Sequence, residues 1–78
     1  MSKQELFTQL KQLNIDIQKH LISGYILTYD NVSIRIRFRK ENILIYRGIS
    51  DFDNLESWNN YLLHNNTIDL IKKELYMS

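Results

Sequence analysis

Arginine occurs four times in this chain, at positions 35, 37, 39 and 47. Arg35, Arg37 and Arg39 alternate, and alternation is the period of a β-strand, whose residues i, i+2 and i+4 leave one face about 6.5–7 Å apart. Guanidinium groups at that spacing can pair bidentately with carboxylates, grip phosphates or lie against rings. They stay protonated, so they do not perform acid–base chemistry. Groups suited to such chemistry are few. His20 and His64 fall on separate segments, and Asp51, Asp53 and Glu56 form the tightest carboxylate group. That group suits the first turn of a helix, where acids meet the positive end of the dipole.

Whole reaction classes drop out on composition. The chain has no cysteine, so a thiolate nucleophile, a disulfide and a cysteine zinc site are excluded. Only Gly24 and Gly48 are available, so no glycine-rich loop can cradle a phosphate. No His/Asp/Glu cluster has metal-ligand spacing, and no serine sits in a nucleophile elbow. The expectation is a protein that is not an enzyme, with no catalytic residues, metal or cofactor. A small enzyme or ribonuclease toxin would need a cleft gathering His20 or His64 with Asp51, Asp53 or Glu56.

Seventy-eight residues, 44% apolar and 24% charged, fit one small globular domain over residues 1–78. Ten basic residues against nine acidic ones give +1, which argues against a DNA mimic and demands no nucleic-acid partner. The start of the chain lacks the apolar stretch of a signal peptide, and no apolar run approaches the about 18 residues of a membrane span. A cytoplasmic protein without membrane contact is expected. Proline and alanine are absent while isoleucine, leucine and asparagine abound, a bias of AT-rich coding sequences such as those of phages and mobile elements.

The elements that hold these residues follow from periodicity. Ser2-Lys3-Gln4-Glu5 fits a capping box, and Leu6, Leu10, Leu13, Ile17 and Leu21 mark one helical face, predicting a helix over about residues 3–22. Its weak point is Asn14-Ile15-Asp16-Ile17, where alternation and β-branching favour an earlier end. Residues 25–29, Val32–Arg39 and residues 43–48 read as strands, joined by Asp30-Asn31 and by Lys40-Glu41-Asn42, with Asn42 suited to a left-handed conformation. Leu55, Trp58 and Leu62, with Tyr61 beside them, then read as a second helix, and Ile68, Ile71 and Leu75 as a third. The expected class is α+β: a three-stranded antiparallel meander with helices packed on one face, order α-β-β-β-α-α.

Turn geometry then sets the register. With Asp30-Asn31 as a two-residue turn, Tyr25, Leu27, Tyr29, Val32, Ile34, Ile36 and Phe38 share the core face. Ile26, Arg35, Arg37, Arg39, Leu44 and Tyr46 share the other. Arginine, tyrosine and aliphatic side chains together have the composition of interface hot spots. The expected function is a small protein-binding module, of the kind a phage or mobile element uses to regulate or inhibit a host protein, including a host defence. In this reading Arg35, Arg37, Arg39 and Tyr46 make the contacts and Ile26 and Leu44 anchor them. A homodimer through the same face is a variant. The alternative is nucleic-acid binding by the same arginines, with Tyr46 stacked on a base. Arg47 has core parity and is expected to reach outward from the strand end.

The order α-β-β-β-α resembles the double-stranded RNA-binding domain over residues 3–64. That family contacts RNA from the loop between its first two strands and from lysines opening the following helix. Here the loop reads Tyr29-Asp30-Asn31-Val32, and the helix would open with Asp51, Asp53 and Glu56, so neither contact site is present. Small ribonuclease toxins of similar order carry a histidine on their first strands, and residues 25–39 contain none. The full order also resembles small phage-encoded inhibitors of a CRISPR effector nuclease. Those are strongly acidic, unlike this chain. The likeness is one of order alone, so no family is assigned.

Overall fold

The computed structural model describes residues 1–20, 24–47 and 58–77. Among the described residues the elements run α1 (Lys3–Gln12), β1 (Asp16–His20), β2 (Gly24–Tyr29), β3 (Val32–Arg39), β4 (Asn42–Tyr46), β5 (Asn59–Leu62) and α2 (Thr67–Glu74). The class is α+β, and the strands form one antiparallel sheet in the order β1-β2-β3-β4-β5. The expected three-stranded meander is its centre, flanked by two strands where the sequence spacing predicts helix. The order α-β-β-β-α-α, and with it the likenesses built on that order, does not hold.

The first correction lies at the end of α1. Ser2 Oγ accepts the Glu5 N–H at 3.1 Å, which is the Ser2 half of the expected capping box. The helix stops at Gln12 instead of near residue 22 because Asn14 takes the left-handed conformation, φ 62°. The Asn14 N–H then donates to the Lys11 carbonyl at 3.0 Å and the Ile15 N–H to the Leu10 carbonyl at 3.1 Å. This pair of bonds is a Schellman cap, and its usual apolar contact is formed by Leu10 and Ile15, both in the core. Past the cap, Ile15, Asp16, Ile17 and Gln18 alternate between buried or half-buried and exposed, and β1 pairs with β2 through Ile17 opposite Leu27. Leu21 and Ser23, read as the end of that helix, lie outside the described residues.

The central register is as expected: Tyr29 opposes Val32, Leu27 opposes Ile34 and Tyr25 opposes Ile36. Asp30 and Asn31 both take positive φ, 48° and 71°, as a type I′ hairpin turn requires. In the next turn Lys40, not Asn42, is left-handed, φ 54°, and Asn42 is paired to Arg39. The connection therefore holds two residues, which keeps Ile43 and Ile45 on the core face.

The second correction is β5. Residues 59–62 pair with β4, Asn59 opposite Ile45 and Leu62 opposite Asn42, where a helix through Trp58 and Leu62 was expected. Asn59-Asn60 is poor helix sequence, whereas β4 brings Ile43, Leu44 and Ile45, all buried, to an edge that needs a partner. The last helix is as read: Ile71 and Leu75 are buried and Ile68 is packed against them. Asp51, Asp53, Leu55 and Glu56 lie outside the described residues.

Helices α1 and α2 serve one side of the sheet. Leu6 and Leu10 of α1 and Ile71 and Leu75 at α2 form one buried cluster with Ile15, Leu27, Ile34, Ile36, Ile43 and Ile45. At its margin Phe7, Tyr25 and Phe38 meet edge to face, with centroids 4.8–5.9 Å apart. Leu44 and Trp58 are buried yet stand outside that cluster.

Candidate binding face

The pairing register builds the opposite face row by row. Arg35 lies between Ile26 on β2 and Tyr46 on β4. Arg37 opposes Leu44, which opposes Asn60, and Arg39 opposes Asn42, which opposes Leu62. Antiparallel partners share a face. The sheet thus brings all six expected site residues, Arg35, Arg37, Arg39, Tyr46, Ile26 and Leu44, to the side away from the helices. Hydroxyl and amide pairs knit this side together: Thr28 Oγ1 and Ser33 Oγ are 2.9 Å apart, and Asn42 Nδ2 donates to Asn60 Oδ1 at 2.9 Å. Among the described strand residues facing this way, Asp16 is the one carboxylate against three guanidinium groups.

Burial divides the six. Arg39 is exposed, while Ile26, Arg35, Arg37 and Tyr46 are half-buried. Leu44 is only 5% exposed, so the expected apolar anchor is an interior residue and offers no surface to a partner. Trp58, also 5% exposed, occupies this region. Its ring stacks on Tyr46, centroids 5.3 Å apart and planes 23° from parallel, and the Arg37 guanidinium carbon lies 5.4 Å from its centroid. Sequence reasoning placed Trp58 in the core of a helix. The signal that would have found it is the apolar pair Leu44 and Tyr46 on the face away from the helices, since aliphatic surface there needs a cover.

Arg37 is held from two sides. The backbone of Gly24 passes so close that a Cβ built there would stand 2.7 Å from Arg37 Cγ and 2.4 Å from the Ile36 carbonyl oxygen. With its stem over a glycine and its head against Trp58, Arg37 has little room to turn. Its Nε is buried without a hydrogen-bond partner. A buried unsatisfied donor of this kind costs about 1–3 kcal/mol.

Of the other candidate polar groups, Arg47 and His64 lie away from this face. Arg47, just past β4, is exposed and belongs to α2: its Nε is 3.4 Å from Glu74 Oε2, its Nη2 donates to the Tyr76 hydroxyl, and its guanidinium covers the Tyr76 ring at 4.5 Å. A cation there complements the C-terminal end of the helix dipole. His20 has the parity of the arginine face, opposite Gly24. His64 belongs to the turn before α2, where its Nδ1 accepts the Asn66 N–H and its own N–H donates to Thr67 Oγ1, each at 3.0 Å. Among the described residues no group of three or more His, Cys, Asp or Glu is placed to hold a metal ion, and no helix is long and apolar enough to cross a membrane. Compared with models of protein families, with curated proteins and with solved structures, the chain finds no match, so the reading of this face rests on its own geometry.

Proposed function

We propose that this chain is a small non-catalytic binding module whose arginine face docks an acidic surface on a partner protein, as a phage or mobile-element regulator or inhibitor of a host protein would. The observation that carries the reading is the placement of Arg35, Arg37 and Arg39 on one sheet face with Arg37 held against the Trp58–Tyr46 stack. A guanidinium fixed in advance gives up less side-chain entropy on pairing with a carboxylate. Arg35 and Arg39 add charge on the same strand, and Ile26 and Tyr46, one on either side of Arg35, add half-buried apolar surface. Among the described strand residues of this face arginine outnumbers carboxylate, which favours an acidic partner over a second copy of the chain.

The test compares wild type with Arg35→Glu/Arg39→Glu as baits, with Lys11→Glu/Lys73→Glu as a remote charge control. Quantitative mass spectrometry of cross-linked complexes should show a partner lost about tenfold or more from the face variant and kept by the control. Equal recovery by both variants refutes the reading. Nucleic-acid binding by the same arginines predicts instead an affinity that collapses between about 50 and 200 mM salt.

A further inference from the structure

The two edges of the sheet are defended unequally. β1 carries the charges of Asp16 and Lys19, both exposed, which discourage strand addition at that edge. β5 reads Asn59-Asn60-Tyr61-Leu62, with no charge and no proline, and Leu62 is 60% exposed. Among the described residues no sixth strand pairs with it. An uncharged edge with an exposed leucine is a template for another strand.

A second feature adjoins the same strand. A cavity of about 430 Å³ is lined by Leu62 and Leu63 from the end of β5, by Phe38, and by Lys3, Lys40 and Glu41. Its volume falls in the usual range of ligand pockets, about 300–1,000 Å³. Lys3 Nζ lies 5.3 Å and 5.5 Å from the Tyr25 and Phe38 ring centroids, so one cation is already held beside an apolar wall. Among the described residues neither lysine is in an ion pair. The lining therefore combines apolar surface with two cations against one carboxylate.

We propose that the β5 edge and this cavity form a second docking site, for an extended acidic–apolar peptide segment of a partner protein that joins the sheet as a sixth strand. Every pairing in the sheet is antiparallel. An antiparallel strand beside β5 brings its N-terminal end to the Leu62 end and so to the cavity. An acidic residue there meets Lys3 and Lys40, and an apolar neighbour meets Phe38 and Leu63. The backbone supplies affinity and the cavity supplies the selection for acid over base.

The probe is a fluorescein-labelled peptide, acetyl-Asp-Phe-Val-Thr-Val-Thr-amide, beside one analogue with Lys for Asp and one N-methylated on alternate amides. Fluorescence anisotropy with the full chain should show saturable binding of the aspartyl peptide, weaker by about tenfold or more for each analogue. Lys3→Glu/Lys40→Glu, both at exposed positions, should lose the aspartyl peptide and gain the lysyl one. Arg35→Glu, in the row of the arginine face farthest from Leu62, should bind all three as wild type does, which separates this site from the arginine face. No saturation by about 1 mM peptide, or equal binding of the three peptides, overturns the proposal. So does a concentration-dependent dimer in sedimentation that Leu62→Lys abolishes, since the edge would then belong to a second copy.

Discussion

Gly24→Ala is the sharpest perturbation the sheet offers. Gly24 begins β2 at φ 85°, where an L-residue loses about 1–2 kcal/mol. The added Cβ would also stand 2.4 Å from the Ile36 carbonyl oxygen, part of the backbone of the central strand. Relieving such a contact means shifting β3 or twisting β2, an overpacking cost of about 1–3 kcal/mol. The sum, about 2–5 kcal/mol, competes with a total stability of about 4–12 kcal/mol for a chain of this length. Urea denaturation followed by Trp58 fluorescence and by far-ultraviolet circular dichroism measures it, with an unchanged m-value as the sign of an intact denatured state. Gly24→Asn separates the two causes, because asparagine tolerates positive φ but carries the same Cβ. The expected order is wild type well above Asn, with Asn slightly above Ala. A loss below about 1 kcal/mol for Gly24→Ala, or near-complete recovery in Gly24→Asn, would refute the argument from the Ile36 carbonyl.

Other substitutions follow from the same geometry. Arg37→Met keeps the stem and removes the buried unpaired Nε, so stability should hold or rise by up to about 1 kcal/mol in the same denaturation assay, while capture of the face's partner falls. Asn14→Gly should gain a few tenths to about 1 kcal/mol by relaxing the left-handed cap of α1, whereas Asn14→Val should lose about 1–2 kcal/mol; thermal melts of the pair decide it.

What was legible in the sequence was local. The Ser2 cap, the Asp30-Asn31 turn and the alternation through residues 25–39 each depend on neighbours a few positions away, and together they fix the register. Because the side-chain period of a strand is two, that register assigns every inward residue of the hairpin at once. The same logic placed Arg35, Arg37 and Arg39 on one face. Asn14 was the ambiguous position because Leu13 and Ile17 satisfy helical spacing while Ile15 and Ile17 satisfy a strand. The left-handed cap that decides between them is a backbone event, which an asparagine permits without announcing.

β5 and Trp58 were illegible for a different reason. A spacing of three and four through positions 55, 58 and 62 is the signature of a helical face, and nothing nearby contradicts it. What overrides it is the unpaired edge of β4, a tertiary demand that propensity does not record. Once residues 59–62 pair there, Tyr61 turns toward the core, Leu62 turns out, and Trp58 stacks on Tyr46 and meets the Arg37 guanidinium. That changes the chemistry of the arginine face. Apolar anchors flanked by mobile cations would pay ordering entropy for every contact. A guanidinium already braced by a tryptophan and a glycine loses less, while its buried, unpartnered Nε costs stability that Arg37→Met recovers.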